Sequence, residues 1–189
     1  MDAIEEVLRE IEKIGETKFI PSIGPVKGKV LAELIQKTKP KRIVEVGALY
    51  GYSSILMAKN APKARITTIE VSPEHVRITR ENIRRAGMED RIDVLQGDGA
   101  QALSKLTGSF DLVFLDAAKE EYLAYLKAVE KKLHKGSIVV ADNVGVFADQ
   151  MKDFLDYIRK SDSYKSRTVE TGLEYSGGED AMEISEKIR

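Results

Sequence analysis

Cysteine and tryptophan are missing from this chain of 189 residues, and histidine occurs only twice. Without cysteine there is no disulfide, no thiolate zinc site and no cysteine nucleophile, a composition that suits a reducing cytoplasm. Charge of one sign is not in excess either. The 30 basic side chains face 31 acidic ones, giving a net charge of −1 and no global field to attract nucleic acid. Nor is there an apolar run near the roughly 20 residues that a membrane span requires. The first residues, MDAIEEVLREIEKIG, are acidic and lack the apolar core of a secretory signal. What is present is 42% hydrophobic and 32% charged residues, the balance of a globular chain, and the length suits one domain, residues 1–189. The expectation is a soluble, cytoplasmic protein.

The opening segment carries Ile4, Val7, Leu8, Ile11 and Ile14 at 3/4 spacing, which predicts an amphipathic helix ending at Gly15. Its stripe is read as packing on the parent domain, with a homodimer contact or a lid as the alternatives. A second helix is expected over Val26–Lys37. Beyond residue 41, short apolar runs alternate with helical patterns. The runs are Arg42–Val46, Arg65–Ile69, Arg91–Leu95, Phe110–Leu115 and Ser137–Ala141. The helices between them are Tyr52–Lys59, Pro73–Ala86, Ala100–Leu106 and Glu120–His134, followed by Ala148–Lys160. Strand–helix alternation with nearly continuous apolar strands predicts a doubly wound α/β fold, a parallel sheet covered on both faces. Lys165–Glu174 and Ala181–Ile188 read as a terminal antiparallel pair.

Acids mark the carboxyl ends of all five parallel strands: Glu45, Glu70, Asp98, Asp116 and Asp142. Ligands bind outside those ends in such sheets. A single acid there is explained by helix capping, but five are not, and Glu45 lies inside an apolar strand where an unpaired carboxylate is costly. The turn Gly47-Ala48-Leu49-Tyr50-Gly51 is G-x-x-x-G rather than the dinucleotide G-x-G-x-x-G, and Glu45 would oppose a pyrophosphate. Glu70, 23 residues after Gly47, has the reach for a ribose hydroxyl pair. A positively charged nucleoside without phosphate fits this turn, and S-adenosylmethionine is such a molecule.

Asp116, Asp142 and Asn143 come from adjacent strand ends and offer two carboxylates and an amide oxygen. These are hard donors, suited to Mg²⁺ or another hard divalent cation and not to zinc. Lys119 stands three residues past Asp116. A partly desolvated lysine near a cation can serve as a base, although neighbouring carboxylates oppose that tendency.

The stretches Ile23-Gly24-Pro25-Val26-Lys27-Gly28, Val44 to Ser53, Thr68-Ile69-Glu70, Phe114 to Lys119, Val140 to Val144 and Leu173-Glu174-Tyr175 carry a family resemblance. The chain resembles the Mg²⁺-dependent, S-adenosylmethionine-dependent O-methyltransferases, the group of catechol and caffeoyl-coenzyme A O-methyltransferases. The resemblance implies a Rossmann-like class I methyltransferase sheet in which residues 1–40 form part of the cover over the site. It implies that Ile23, Glu45, Gly47 and Ser53 hold the methionine portion and Glu70 with Val71 the ribose. Asp98 and Gly99 would border the adenine, with Asp116 also beside the cofactor. Asp116, Asp142 and Asn143 would ligate the metal, Lys119 would be the general base, and Glu174 would hydrogen-bond a second substrate hydroxyl. The acceptor implied is a small molecule with a catechol-like or other aromatic hydroxyl.

The catechol enzymes place a tryptophan just before the base lysine, and here that position is Ala118. Phe19, Phe147 and Tyr175 are the aromatic residues left to wall the pocket. A wider pocket would admit a larger acceptor, including a tRNA base, and that reading stands as the alternative. A non-catalytic cofactor-binding protein is the third. His75 and His134 are expected on helices in surface or capping roles, His134 in a last helical turn. Arg77, Arg80, Arg84 and Arg85, interleaved with Glu74 and Glu81, are expected to form a solvated, ion-paired helix face.

Overall fold

The computed structural model describes residues 2–18, 20–174 and 177–189. Helices α1 (Ala3–Thr17) and α2 (Gly24–Thr38) precede an alternating run. The run comprises β1 (Arg42–Val46), α3 (Tyr52–Asn60), β2 (Arg65–Glu70), α4 (Pro73–Arg85), β3 (Ile92–Gln96), α5 (Gly99–Lys105) and β4 (Phe110–Leu115). It continues through α6 (Tyr122–Val129), β5 (Leu133–Ala141) and α7 (Lys152–Lys160) to the hairpin of β6 (Tyr164–Gly172) and β7 (Glu179–Lys187). The sheet order is β3-β2-β1-β4-β5-β7-β6. The strands β1 to β5 are parallel, and β7 runs antiparallel to both β5 and β6. This is the expected doubly wound architecture with its terminal antiparallel pair.

Alternation along the strands sorts side chains into two cores. Ile43, Leu112, Phe114 and Val140 pack against α1, α2 and α3 on one face. Val44, Val113, Leu115 and Val139 pack against α6 and α7 on the other. The apolar stripe of α1 (Val7, Leu8, Ile11) is buried in the first core, so it packs on the parent domain. None of the described helices is long and apolar enough to cross a membrane.

Two elements depart from the expected pattern. The helix expected over Ala148–Lys160 opens as a 3-10 turn (Ala148–Met151) and becomes α-helical only in α7. The helix expected over Glu120–His134 is shorter: a 3-10 turn (Lys119–Glu121) leads into α6, and a second 3-10 turn (Glu130–Lys132) ends it. His134 therefore lies in β5 and not in a last helical turn. The reason is pairing at the foot of the sheet. Leu133 pairs with Phe110, the register then shifts, and Ser137 Oγ bridges the irregularity by donating to the Phe110 carbonyl (2.8 Å) and accepting from His134 N (2.9 Å). The His134 ring reaches Asp111 Oδ1 at 2.9 Å, which together with the Lys135 carbonyl raises its pKa. On α4, Arg84 pairs with Glu81 and Arg85 with Glu10 of α1, as a solvated face should.

Strand order reverses between β1 and β4, whose connections run to opposite sides. A crevice opens there at the carboxyl ends, the general position for a ligand in this architecture.

Candidate active site

A cavity of about 660 Å³ occupies that crevice. Its first end is built on the β1–α3 turn. Gly47 has φ 98°, and a Cβ there would collide with the Asp116 carbonyl oxygen, so only glycine lets the turn pass the end of β4. Glu70 holds this turn: one carboxylate oxygen accepts from Ala48 N (3.2 Å) and Leu49 N (2.9 Å), the other from Ser72 N (2.9 Å). Its carboxylate is thereby fixed on the cavity wall beside Val71, Asp98 and Gly99. His75 Nδ1 stands 3.8 Å from Glu70, with its ring edge-on to Tyr50. Asp98 also caps α5, accepting from Gln101 N at 2.9 Å.

The second end collects Asp116, Lys119, Asp142, Asn143 and Glu174. Leu115 and Ala141 are paired in the sheet, so Asp116 and Asp142 leave adjacent strands at the same level. Asp116 Oδ1 accepts from Lys119 Nζ at 2.8 Å, and the same ammonium donates to the Tyr122 hydroxyl at 2.9 Å. The Tyr122 hydroxyl in turn donates to the Asp142 carbonyl at 3.3 Å. Asp142 is 2% exposed, and burial, helped by the nearby Asp116 charge, pushes its carboxyl up to about 7 against the pull of Lys27 and Lys119.

Two residues of this end carried no assigned role in the sequence. Lys27 of α2 is 2% exposed, with Nζ 2.8 Å from Asp142 Oδ1 and 2.5 Å from Asp180 Oδ2. A signal existed, because Lys27 falls on the buried stripe with Leu31 and Ile35, where a lysine needs a partner. Asp180 of β7 had no comparable signal, since its neighbours in space are distant in sequence.

The remaining expected residues divide between the cavity wall and the layer behind it. Glu45 is fully buried on β1, accepts hydrogen bonds from both Ser53 and Ser54 at the start of α3, and does not line the cavity. Burial raises its carboxyl to about 7, against those hydroxyls. Ile23 is likewise buried, next to the wall residue Ser22. Glu174 lines the cavity, but one of its oxygens already accepts from Val26 N at the start of α2. A Cβ on Gly24 would collide with that side chain. Phe147 lines the cavity and is 39% exposed. Phe19 and Tyr175, the other two aromatic wall residues expected, lie outside the described residues.

The donor set at the second end fits a hard divalent cation. Asp142 Oδ1 is buried and receives no hydrogen bond of good geometry, Lys27 being an ion pair alongside it. The Asn143 amide nitrogen donates to Asp180 (2.8 Å), which leaves its oxygen available. Among the described residues no three of His, Cys, Asp or Glu group as a metal site, and the third donor of this set is an amide.

Comparison with known proteins gives a consistent picture. A sequence model of a family described as O-methyltransferase matches residues 2–159. Catechol O-methyltransferase B of Danio rerio is 35% identical over 172 residues, covering 87% of this chain and 64% of that protein. Catechol O-methyltransferase of Mus musculus is 32% identical over 188 residues, covering 95% of this chain and 70% of that protein. The chain thus spans about two thirds of the length of these relatives. Among solved structures, the O-methyltransferase of Bacillus cereus in complex with SAH superposes with a TM-score of 0.85 at 26% identity, covering 99% of this chain and 91% of that one.

Proposed function

The chain belongs to the O-methyltransferase family, and on that premise we propose that it moves the methyl group of S-adenosylmethionine to a hydroxyl of a small catechol-like or other aromatic acceptor, with a hard divalent cation such as Mg²⁺ held by Asp116, Asp142 and Asn143. The observation that carries this reading is that the oxygen donors and Lys119 open onto the same cavity as Glu70 and Asp98. Donor and acceptor would meet in one crevice.

S-adenosylmethionine supplies an electrophilic methyl carbon on its sulfonium. A divalent cation, when bound, supplies a Lewis acid that lowers the pKa of an acceptor hydroxyl. The chain's own residues do the rest. Glu70, preset by three backbone N–H groups, binds the ribose hydroxyls, with Val71 alongside. Asp98 and Gly99 border the adenine. Gly47 and the backbone near Ile23 receive the methionine portion, with Glu45 and Ser53 supporting the turn from behind. Lys119, between Asp116 and the Tyr122 hydroxyl, takes the acceptor's proton in its neutral form as the oxygen–methyl bond forms and the sulfur–methyl bond breaks. Glu174 keeps one oxygen on α2 and offers the other to a second acceptor hydroxyl. Because opposite charges neutralise during transfer, holding the reactants aligned in a partly dry pocket is the main contribution.

We read residues 1–189 as one domain whose first 40 residues contribute the cover, a reading supported by Ile20, Ser22 and Lys27 on the cavity wall. The cysteine-free composition supports a cytoplasmic setting. The test is a methyl-transfer screen over catechols, acyl-coenzyme A phenols and unmodified tRNA, each with and without EDTA. EDTA-sensitive transfer to a catechol supports the proposal. Transfer only to tRNA moves the acceptor class to RNA, and transfer to none with intact SAH binding favours a non-catalytic binder.

A further inference from the structure

We propose that Asp180 is a positioning residue for the acceptor end of the site, fixing which edge of the Asn143 amide faces a cation and, through Lys27, where the Asp142 carboxylate stands. The inference rests on the cation reading above. Asp180 comes from β7, on a different element from every candidate ligand, and its side chain is fully buried. Its two oxygens divide their work. Oδ1 accepts the backbone N–H groups of Gly145 (3.1 Å) and Val146 (3.0 Å), and Val144 N donates to the neighbouring Ala181 carbonyl (2.9 Å). The loop that leaves β5 is therefore tied to β7 along its length. Oδ2 serves the site itself, accepting from Lys27 Nζ (2.5 Å) and Asn143 Nδ2 (2.8 Å).

The chemistry of a carboxylate makes this selective. It has no proton to give, so it can pair only with the NH2 edge of the amide, and the Asn143 oxygen is left for another partner. Asn143 holds φ 61°, a left-handed conformation that asparagine tolerates, so its backbone is also committed before any ligand arrives. A backbone-supporting role alone would need only Oδ1.

The test uses the full chain and Mn²⁺ as the probe, read by electron paramagnetic resonance without turnover. In Asp180→Asn the Oδ1 bonds to the loop can persist, but an NH2 group replaces Oδ2 and opposes both Lys27 and the Asn143 amide. Asn143 then turns its oxygen inward to that new NH2 group. The expected result is Mn²⁺ binding weakened about 10–100-fold, the range for groups that orient metal ligands, with SAH affinity unchanged. The exchanged pair Asn143→Asp with Asp180→Asn restores an oxygen toward the cation and recovers most of that loss. Equal Mn²⁺ affinity in wild type and a folded Asp180→Asn overturns the proposal while leaving the cation reading intact. A wild type that binds no Mn²⁺ removes the cation reading and the proposal together. If Asp180→Asn does not fold, side-chain NMR of the wild type decides, with the Asn143 NH2 pair assigned by its loss in Asn143→Ser. Slow solvent exchange of that pair without metal supports the proposal, and exchange as fast as that of an exposed amide overturns it.

Discussion

Lys27 Nζ lies 2.8 Å from Asp142 Oδ1, and each side chain is only 3% exposed. This pair joins α2, near one end of the sequence, to the end of β5, and it places a fixed positive charge beside a carboxylate that burial alone would neutralise. The acceptor end is thus electrostatically prepared: burial and Asp116 raise the Asp142 carboxyl, while Lys27 and Lys119 pull it back.

Removing the ammonium should expose that balance. Lys27→Met leaves two buried carboxylates, Asp142 and Asp180, without their shared partner. Breaking a buried pair in this way costs about 3–5 kcal/mol, and the lower end is expected here because Asp142 can take up a proton instead. Urea denaturation in EDTA checks the loss. Excess Mg²⁺ should recover part of it, since a ligand that binds only the native state adds stability. A variant as stable as the wild type would show that the pair is energetically neutral.

Asp142→Ala separates the two ends of the cavity. Turnover with any accepted hydroxyl substrate should disappear, whereas SAH affinity measured by calorimetry should stay close to that of the wild type, because Glu70 and Asp98 lie at the other end. Wild-type activity that is the same with and without Mg²⁺ would take the metal out of the mechanism altogether.

How far the sequence reaches follows from which residues are local. The five parallel strands and the acids at their ends were legible, since strand period and terminal polarity are written within six or seven residues each. The grouping of Asp116, Lys119, Asp142 and Asn143 followed from adjacent strand ends. The periodicity puts His134 in a helix, whereas a register shift after Phe110 decides where β5 begins, and a shift in pairing leaves no mark on the periodicity of one segment. Asp180 carries no local signal for the same physical reason. Its importance lies in contacts with Lys27 and Asn143, which are 153 and 37 residues away. Glu45 was legible as anomalous, but its two serine partners and its place behind the cavity emerged only from the packing of α3 on β1.

Glu70→Ala should weaken SAH binding. The substitution removes the carboxylate proposed for the ribose and also frees the N–H groups of Ala48, Leu49 and Ser72 that position the glycine turn. Hydrogen bonds to a charged group contribute about 1.5–3 kcal/mol, which corresponds to roughly 10–100-fold in the dissociation constant. Calorimetry with SAH reads this directly, and an unchanged affinity would mean the ribose lies elsewhere.

Glu45 predicts a pH dependence of stability with a definite sign. Its folded carboxyl is raised by burial from 4.5 to about 7. Below the unfolded value both states hold the proton and the contribution is complete. As pH rises toward 7 the native state retains a proton that the unfolded chain has released, so stability falls, by about 3 kcal/mol in all. Glu45→Gln is neutral at every pH and can still bond both serine hydroxyls, by accepting from one and donating to the other. Asp142 lends a slope of the same sign to both proteins, so the difference between them isolates Glu45. Urea denaturation in EDTA from pH 5 to pH 8 should show the variant gaining on the wild type throughout. Two parallel stability curves would show that Glu45 is ionised in the folded protein, with Ser53 and Ser54 fully offsetting its burial.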